Sequence, residues 1–128
     1  KRCASLRSIS PMTCGCCLDA CPQFAKVELF QRSDESDAAF AERKKRAYDQ
    51  SFIGAAAISQ AMLFNHHPTG HMNADERLEA LAAPGGLQVC GNAQNCVAVC
   101  PKNIPLTTSI ARAGRQLTGY MFRKFFDR

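Results

Sequence analysis

No run of about 18 apolar residues occurs in the 128 residues, so nothing here reads as a membrane span. No basic stretch followed by an apolar core opens the sequence, so no signal peptide is expected. There is no initiator Met before Lys1, and an upstream portion is expected. No β-type alternation of any length appears. Cysteine is missing from all 68 residues between Cys21 and Cys90, which does not suit a disulfide framework spread over many loops. Hydrophobic residues make up 46% and charged residues 21%, a balance that excludes intrinsic disorder. The length suits one domain.

What cysteine there is stands in two clusters. Cys3, Cys14, Cys16, Cys17 and Cys21 lie in the first, and Cys90, Cys96 and Cys100 in the second. Tight clusters across a long gap suit metal or cluster ligands.

The net charge of +5 is unevenly held. Residues 101–128 carry six basic groups and one acid, Asp127, which alone makes +5; residues 1–9 add +3 and residues 10–100 hold −3. A basic tail suits an anionic membrane surface, an acidic partner or nucleic acid, and equally a solvated helix face. A tail reading toward phospholipid headgroups would use Arg123 and Lys124.

The elements read as helices. Residues 27–50 are highly charged and mixed in sign, an exposed helix or ordered insertion with Glu42 and Arg46 at i,i+4. Residues 51–65 are small and apolar nearly all round, a buried helix with Ser51 as N-cap and Met62, Leu63 and Phe64 as core. His66, His67 and His71 read as loop or core residues rather than ligands, because Pro68 and Gly70 break the helix. Asn73 and Glu76 have capping-box spacing before a helix that stops at Pro84-Gly85-Gly86. Pro105 starts the last helix, whose stripe is Ile110, Leu117, Met121 and Phe125 beside Leu106, Ala113 and Tyr120.

Aligned on their closing Cys-Pro, the two cysteine runs share one frame. The bacterial iron–sulfur run is C-x2-C-x2-C-x3-C-P. It falls on positions 11, 14, 17 and 21, and again on 90, 93, 96 and 100; six of the eight are Cys, and the misses are Pro11 and Ala93. In two-cluster ferredoxins the fourth Cys ligates the other cluster. That exchange groups Cys14, Cys17 and Cys100 on one cluster and Cys21, Cys90 and Cys96 on the other. Three thiolates with Ala93 at the fourth corner favour [3Fe-4S] in the second. In the first, the fourth iron is lost, water-bound, or held by Ser10, Cys3 or Cys16; Cys16, between two ligands, is expected to point off-site.

The blocks MTCGCCLDAC, HPTGHMNADERLEAL and GGLQVCGNAQNCVAVCPKNIPLTTSIARAG, with the helix after them, resemble the iron–sulfur subunit of succinate dehydrogenase and fumarate reductase. The resemblance is greatest to the bacterial branch that pairs with a cytochrome b anchor and often uses menaquinone. It implies an all-α fold, an α-helical ferredoxin domain over residues 1–128, with 27–50 as a longer insertion than usual. It implies [4Fe-4S] on Cys14, Cys17 and Cys100 and [3Fe-4S] on Cys21, Cys90 and Cys96. It also implies a [2Fe-2S] cluster in an N-terminal domain that this sequence lacks. The implied role is electron relay from a flavoprotein subunit to membrane quinone, with no substrate chemistry in this chain. The implied partners are the flavoprotein, the cytochrome b anchor and quinone, without nucleic acid, at the cytoplasmic face of the plasma membrane. Pro22, Gln23, Lys26 and Gly91 fall in the quinone vicinity; ubiquinone-type members carry Trp and His where Lys26 and Gly91 stand.

The alternatives are a structural zinc site on Cys3, Cys14, Cys17 and Cys21, a disulfide-linked secreted domain, and the iron–sulfur subunit of another enzyme such as glycerol-3-phosphate dehydrogenase or heterodisulfide reductase.

Overall fold

The computed structural model describes residues 10–24 and 29–127. Among them there is no strand, and the expected all-α class holds. The helices are α1 (Cys16–Asp19), α2 (Asp37–Gln50), α3 (Gly54–His66), α4 (Ala74–Ala82), α5 (Asn95–Ala98) and α6 (Leu106–Phe126). Short 3₁₀ turns cover Gly70–Asn73 and Leu87–Val89.

The centre is α3 packed on α6, with α4 beside both. Phe52, Ile58, Met62, Leu81 and Ala113 form one buried cluster. Ala55, Ile104 and Leu106 form a second. Cys21 and Cys90 pack on the first; Cys17, Cys96 and Cys100 pack on the second. The small residues of α3 permit this closeness. Gly54 opens the helix at φ 85°, a left-handed backbone that favours glycine, and a Cβ there would oblige the Leu18 side chain to move.

Several local expectations are corrected. Ser51 closes α2 instead of opening α3: its N–H and Oγ both donate to Tyr48 O, and α3 begins at Gly54. Its start is fixed from outside, by Ile53 N–H donating to Gly85 O at 2.9 Å in the turn after α4. The α3 surface is not apolar core all round, since Phe64 is exposed and lies under the Arg77 guanidinium. Asn73 does precede α4, but its side chain makes no cap bond and instead donates to Glu76 Oε2 at 3.3 Å. The 3₁₀ turn runs straight into α4, and Ala74 N–H already donates to His71 O.

The α6 stripe is buried only in its first half. At about 1.5 Å per residue α6 is roughly 31 Å long and outruns its shorter neighbours. Met121 and Phe125 therefore stand exposed, Phe125 at 74%. The tail's charge is partly answered there, because Arg123 pairs with Asp75 at 2.7 Å and Lys124 with Glu79 at 2.6 Å. The charged 37–50 helix buries no residue, as its mixed sequence predicts, and carries the Glu42–Arg46 pair at 3.1 Å.

Candidate metal centre

The two cysteine runs fold as copies of one turn. Thr13 and Gly15 are left-handed, at φ 54° and 84°; Asn92 and Gln94 match them at 53° and 62°. Each pair leads into a four-residue helix, Cys16–Asp19 and Asn95–Ala98. The backbone bonds agree one for one: Leu18 N–H to Gly15 O matches Val97 N–H to Gln94 O, and Cys21 N–H to Leu18 O matches Cys100 N–H to Val97 O. The shared C-x2-C-x3-C-P frame is thus a shared backbone shape. Left-handed residues alternating with others turn successive N–H groups inward, which makes a concavity suited to an anion. Three of these four residues are not glycine, and such strain gathers at functional sites.

The runs interlock. Asn95 Nδ2 donates to Ala20 O at 3.1 Å, and Lys102 Nζ donates to Ser10 O at 2.9 Å. Two hollows result. The first is lined by Cys14, Cys16, Cys17 and Cys100, with Pro11, Ala56 and Ile104 among its walls. The second is lined by Cys21, Cys90 and Cys96, with Ala93, Phe52 and Ile110. The start of α3 stands between them, giving Ala56 to one and Ala55 to the other.

Each thiol's surroundings differ. Burial pushes the Cys17 and Cys96 thiols up, opposed by N–H groups of Ala56 and Val97 respectively. Cys14 is lowered by the Cys16 backbone N–H and then by its thiol, while Cys16 is raised by that same contact, so Cys14 is the more acidic of the pair. Ile104 N–H donates to Cys100 Sγ at 3.4 Å.

Soft thiol donors, N–H groups aimed at sulfur and apolar walls fit an anionic, thiophilic group. Among the described residues, no three Cys, His, Asp or Glu side chains converge tightly enough for a single ion. The zinc alternative loses its set as well: Cys21 lines a different hollow from Cys14 and Cys17, and Cys3 lies outside the described residues. The seven described cysteines are all free thiols, against the disulfide alternative.

Of the residues expected near quinone, Pro22, Gln23 and Gly91 edge the second hollow together. A Cβ on Gly91 would come within 3.0 Å of Gln23 Nε2. Lys26 lies outside the described residues. His67 and His71 are exposed around the break after α3, and His67 Nδ1 is bonded to Thr69 Oγ1 at 2.8 Å. Cys16, expected to point off-site, is exposed and is among the residues around the first hollow.

No protein-family model matches the chain, and no solved structure matches it significantly. The chain is 48% identical over 115 residues, 90% of its length, to the succinate dehydrogenase iron–sulfur subunit of Bacillus subtilis. It is 25% identical over 104 residues, 81% of its length, to the fumarate reductase iron–sulfur subunit of Wolinella succinogenes. It spans 37% and 34% of those relatives, about a third of each. The chain is therefore a homologue of part of the iron–sulfur subunits of succinate dehydrogenase and fumarate reductase.

Proposed function

We propose that this chain is the α-helical ferredoxin portion of the iron–sulfur subunit of a succinate:quinone oxidoreductase. In it, single electrons pass between a flavoprotein partner and a membrane quinone. The observation that carries this reading is the crosswise grouping of thiols: Cys100 of the late run stands with Cys14 and Cys17, and Cys21 of the early run stands with Cys90 and Cys96.

Bound in these hollows, iron–sulfur clusters would supply one-electron couples whose potentials follow charge, burial and hydrogen bonds to sulfur. Cys14, Cys17 and Cys100 are the ligands of a [4Fe-4S] cluster, and Cys21, Cys90 and Cys96 those of a [3Fe-4S] cluster. Ala93 puts a methyl group where the second frame's remaining thiolate would stand. The N–H groups of Cys16, Ala56, Val97 and Ile104 stabilise thiolate charge. Phe52, Ala55, Ala56, Ile104 and Ile110 limit water at the thiols. Pro22, Gln23 and Gly91, with Lys26, are the residues assigned to face quinone. Among the described residues no helix is long and apolar enough to cross a membrane. The place assigned to the chain is peripheral, on a cytochrome b anchor at the cytoplasmic face.

The test is iron and acid-labile sulfide analysis of the anaerobically purified complex, with low-temperature EPR of its oxidised and reduced forms. A three-iron signal on oxidation and a four-iron signal on reduction are expected. Zinc in place of iron, with no sulfide, would overturn the reading.

A further inference from the structure

The first hollow holds one more thiol than the repeated frame uses, and it lacks one that the frame requires. Pro11 lines this hollow, where its counterpart in the second run is Cys90. Proline's side chain offers no atom that can ligate iron. Cys16 lines the same hollow, and its counterpart in the second run is Asn95, whose amide is committed to Ala20 O. Each copy lacks one frame thiol, at Pro11 in the first and at Ala93 in the second, and only the first carries an additional thiol within its run.

We propose that Cys16 supplies the fourth thiolate of the first hollow, in place of the cysteine absent at position 11, so that this site holds a four-iron cluster. The inference rests on the reading that the hollow binds a cluster. Cys16 is the first residue of α1, directly after the left-handed Gly15. Its thiol neighbours that of Cys14. Both side chains are exposed, so rotation about χ1 of either separates the two sulfurs without displacing packed atoms. Ligation takes the thiolate: the Cys16 proton leaves to solvent and an Fe–S bond forms, with no change of oxidation state. Of the other donors, Ser10 is not among the residues lining the hollow, and its carbonyl holds Lys102. Cys3 lies outside the described residues.

The test compares Cys16→Ala with Cys3→Ala and Ser10→Ala in the full chain with its partner subunits, purified anaerobically. Cys16→Ala should convert the four-iron signal into a second three-iron signal in oxidised protein, and lower iron by about one atom per chain. Cys3→Ala and Ser10→Ala should match the parent. An unchanged signal and iron count in Cys16→Ala would overturn the proposal. So would a parent protein that already shows two three-iron signals. Should Cys16→Ala fail to assemble, alkylation of the unmodified holoprotein decides instead. Cys16 should resist iodoacetamide until the clusters are removed by acid, and labelling in the intact holoprotein would count against it. A parent protein with neither iron nor sulfide would overturn the proposed function itself, a result distinct from these.

Discussion

Gly15 and Gln94 occupy one position in two copies of the same turn, left-handed at φ 84° and 62°, each capping a four-residue helix. A Cβ at Gly15 would meet nothing within 4 Å, so glycine there eases the left-handed backbone and is not called for by space. Gly15→Ala is expected to destabilise by about 1–2 kcal/mol, the usual cost of the left-handed region. Gly119 in α6 also has nothing within 4 Å, but its backbone is helical. Gly119→Ala should stabilise by about 0.5–1 kcal/mol. Chemical denaturation of the two variants checks this. The same substitution should move the midpoint in opposite directions, and a shift of both the same way would defeat the backbone argument.

The crossing of the two runs gives a prediction that sequence order alone would reverse. Cys100 follows Cys96 in the chain but lines the hollow of Cys14 and Cys17. Cys100→Ser should therefore alter the signal that Cys14→Ser alters and leave that of Cys96→Ser intact. Cys21→Ser should behave as Cys96→Ser does. EPR of the four variants, sorted by which signal each one changes, is the measurement. Grouping by run instead of by hollow would reject the crosswise arrangement.

The repeated turn is legible in the amino-acid sequence. The two-copy frame rests on Cys and Pro spacing, and a spacing that repeats carries its backbone shape with it. The all-α class follows from the lack of alternation. What the sequence hides depends on neighbours. Ser51 has the chemistry of an N-cap, but the turn at Gly85 sets where α3 begins, a contact 32 positions away in sequence. Met121 and Phe125 fit the α6 stripe, yet period says nothing about where the opposing helices end. Phe64 is apolar on a largely buried helix, yet it stands exposed, with the Arg77 guanidinium over its ring. Cys16 falls between frame positions, and a frame does not describe departures from itself.

The 37–50 helix is tethered at its start by charge. Arg43 Nε and NH2 both donate to Glu35, at 2.9 and 2.6 Å, and NH2 also donates to Phe30 O at 3.0 Å. The Arg43 guanidinium holds the Glu35 carboxyl below the ordinary carboxylate range. A carboxyl lowered on folding binds its proton more readily when unfolded, so its contribution is present above the ordinary carboxylate pKa and is lost as pH falls through the lowered one. Amide exchange in α2 is expected to quicken in that acidic window, relative to α3. Arg43→Gln should remove the dependence. An α2 exchange profile insensitive to acid in the parent protein would show that the pair does not hold the helix.

Asn65 is 3% exposed and links three elements through its amide. Its Oδ1 accepts from Arg77 Nε at 2.7 Å on α4, and its Nδ2 donates to Gln116 Oε1 at 3.2 Å on α6. Arg77 also donates to Gly70 O and lies over the Phe64 ring. Asn65→Ala takes away one bond to a charged group and one neutral bond in a buried place. A loss of about 2–3 kcal/mol is expected. Asn65→Asp keeps the acceptor for Arg77 and adds a charge that pairs with it. It loses the donor toward Gln116, but that side-chain amide can turn to present its own N–H groups. Asn65→Asp should therefore cost less than Asn65→Ala at neutral pH and approach it in acid, as the new carboxylate protonates. Thermal unfolding at pH 7 and pH 4 separates the two. Equal destabilisation at both pH values would mean that packing around the side chain, and not its bond to Arg77, is what Asn65 contributes.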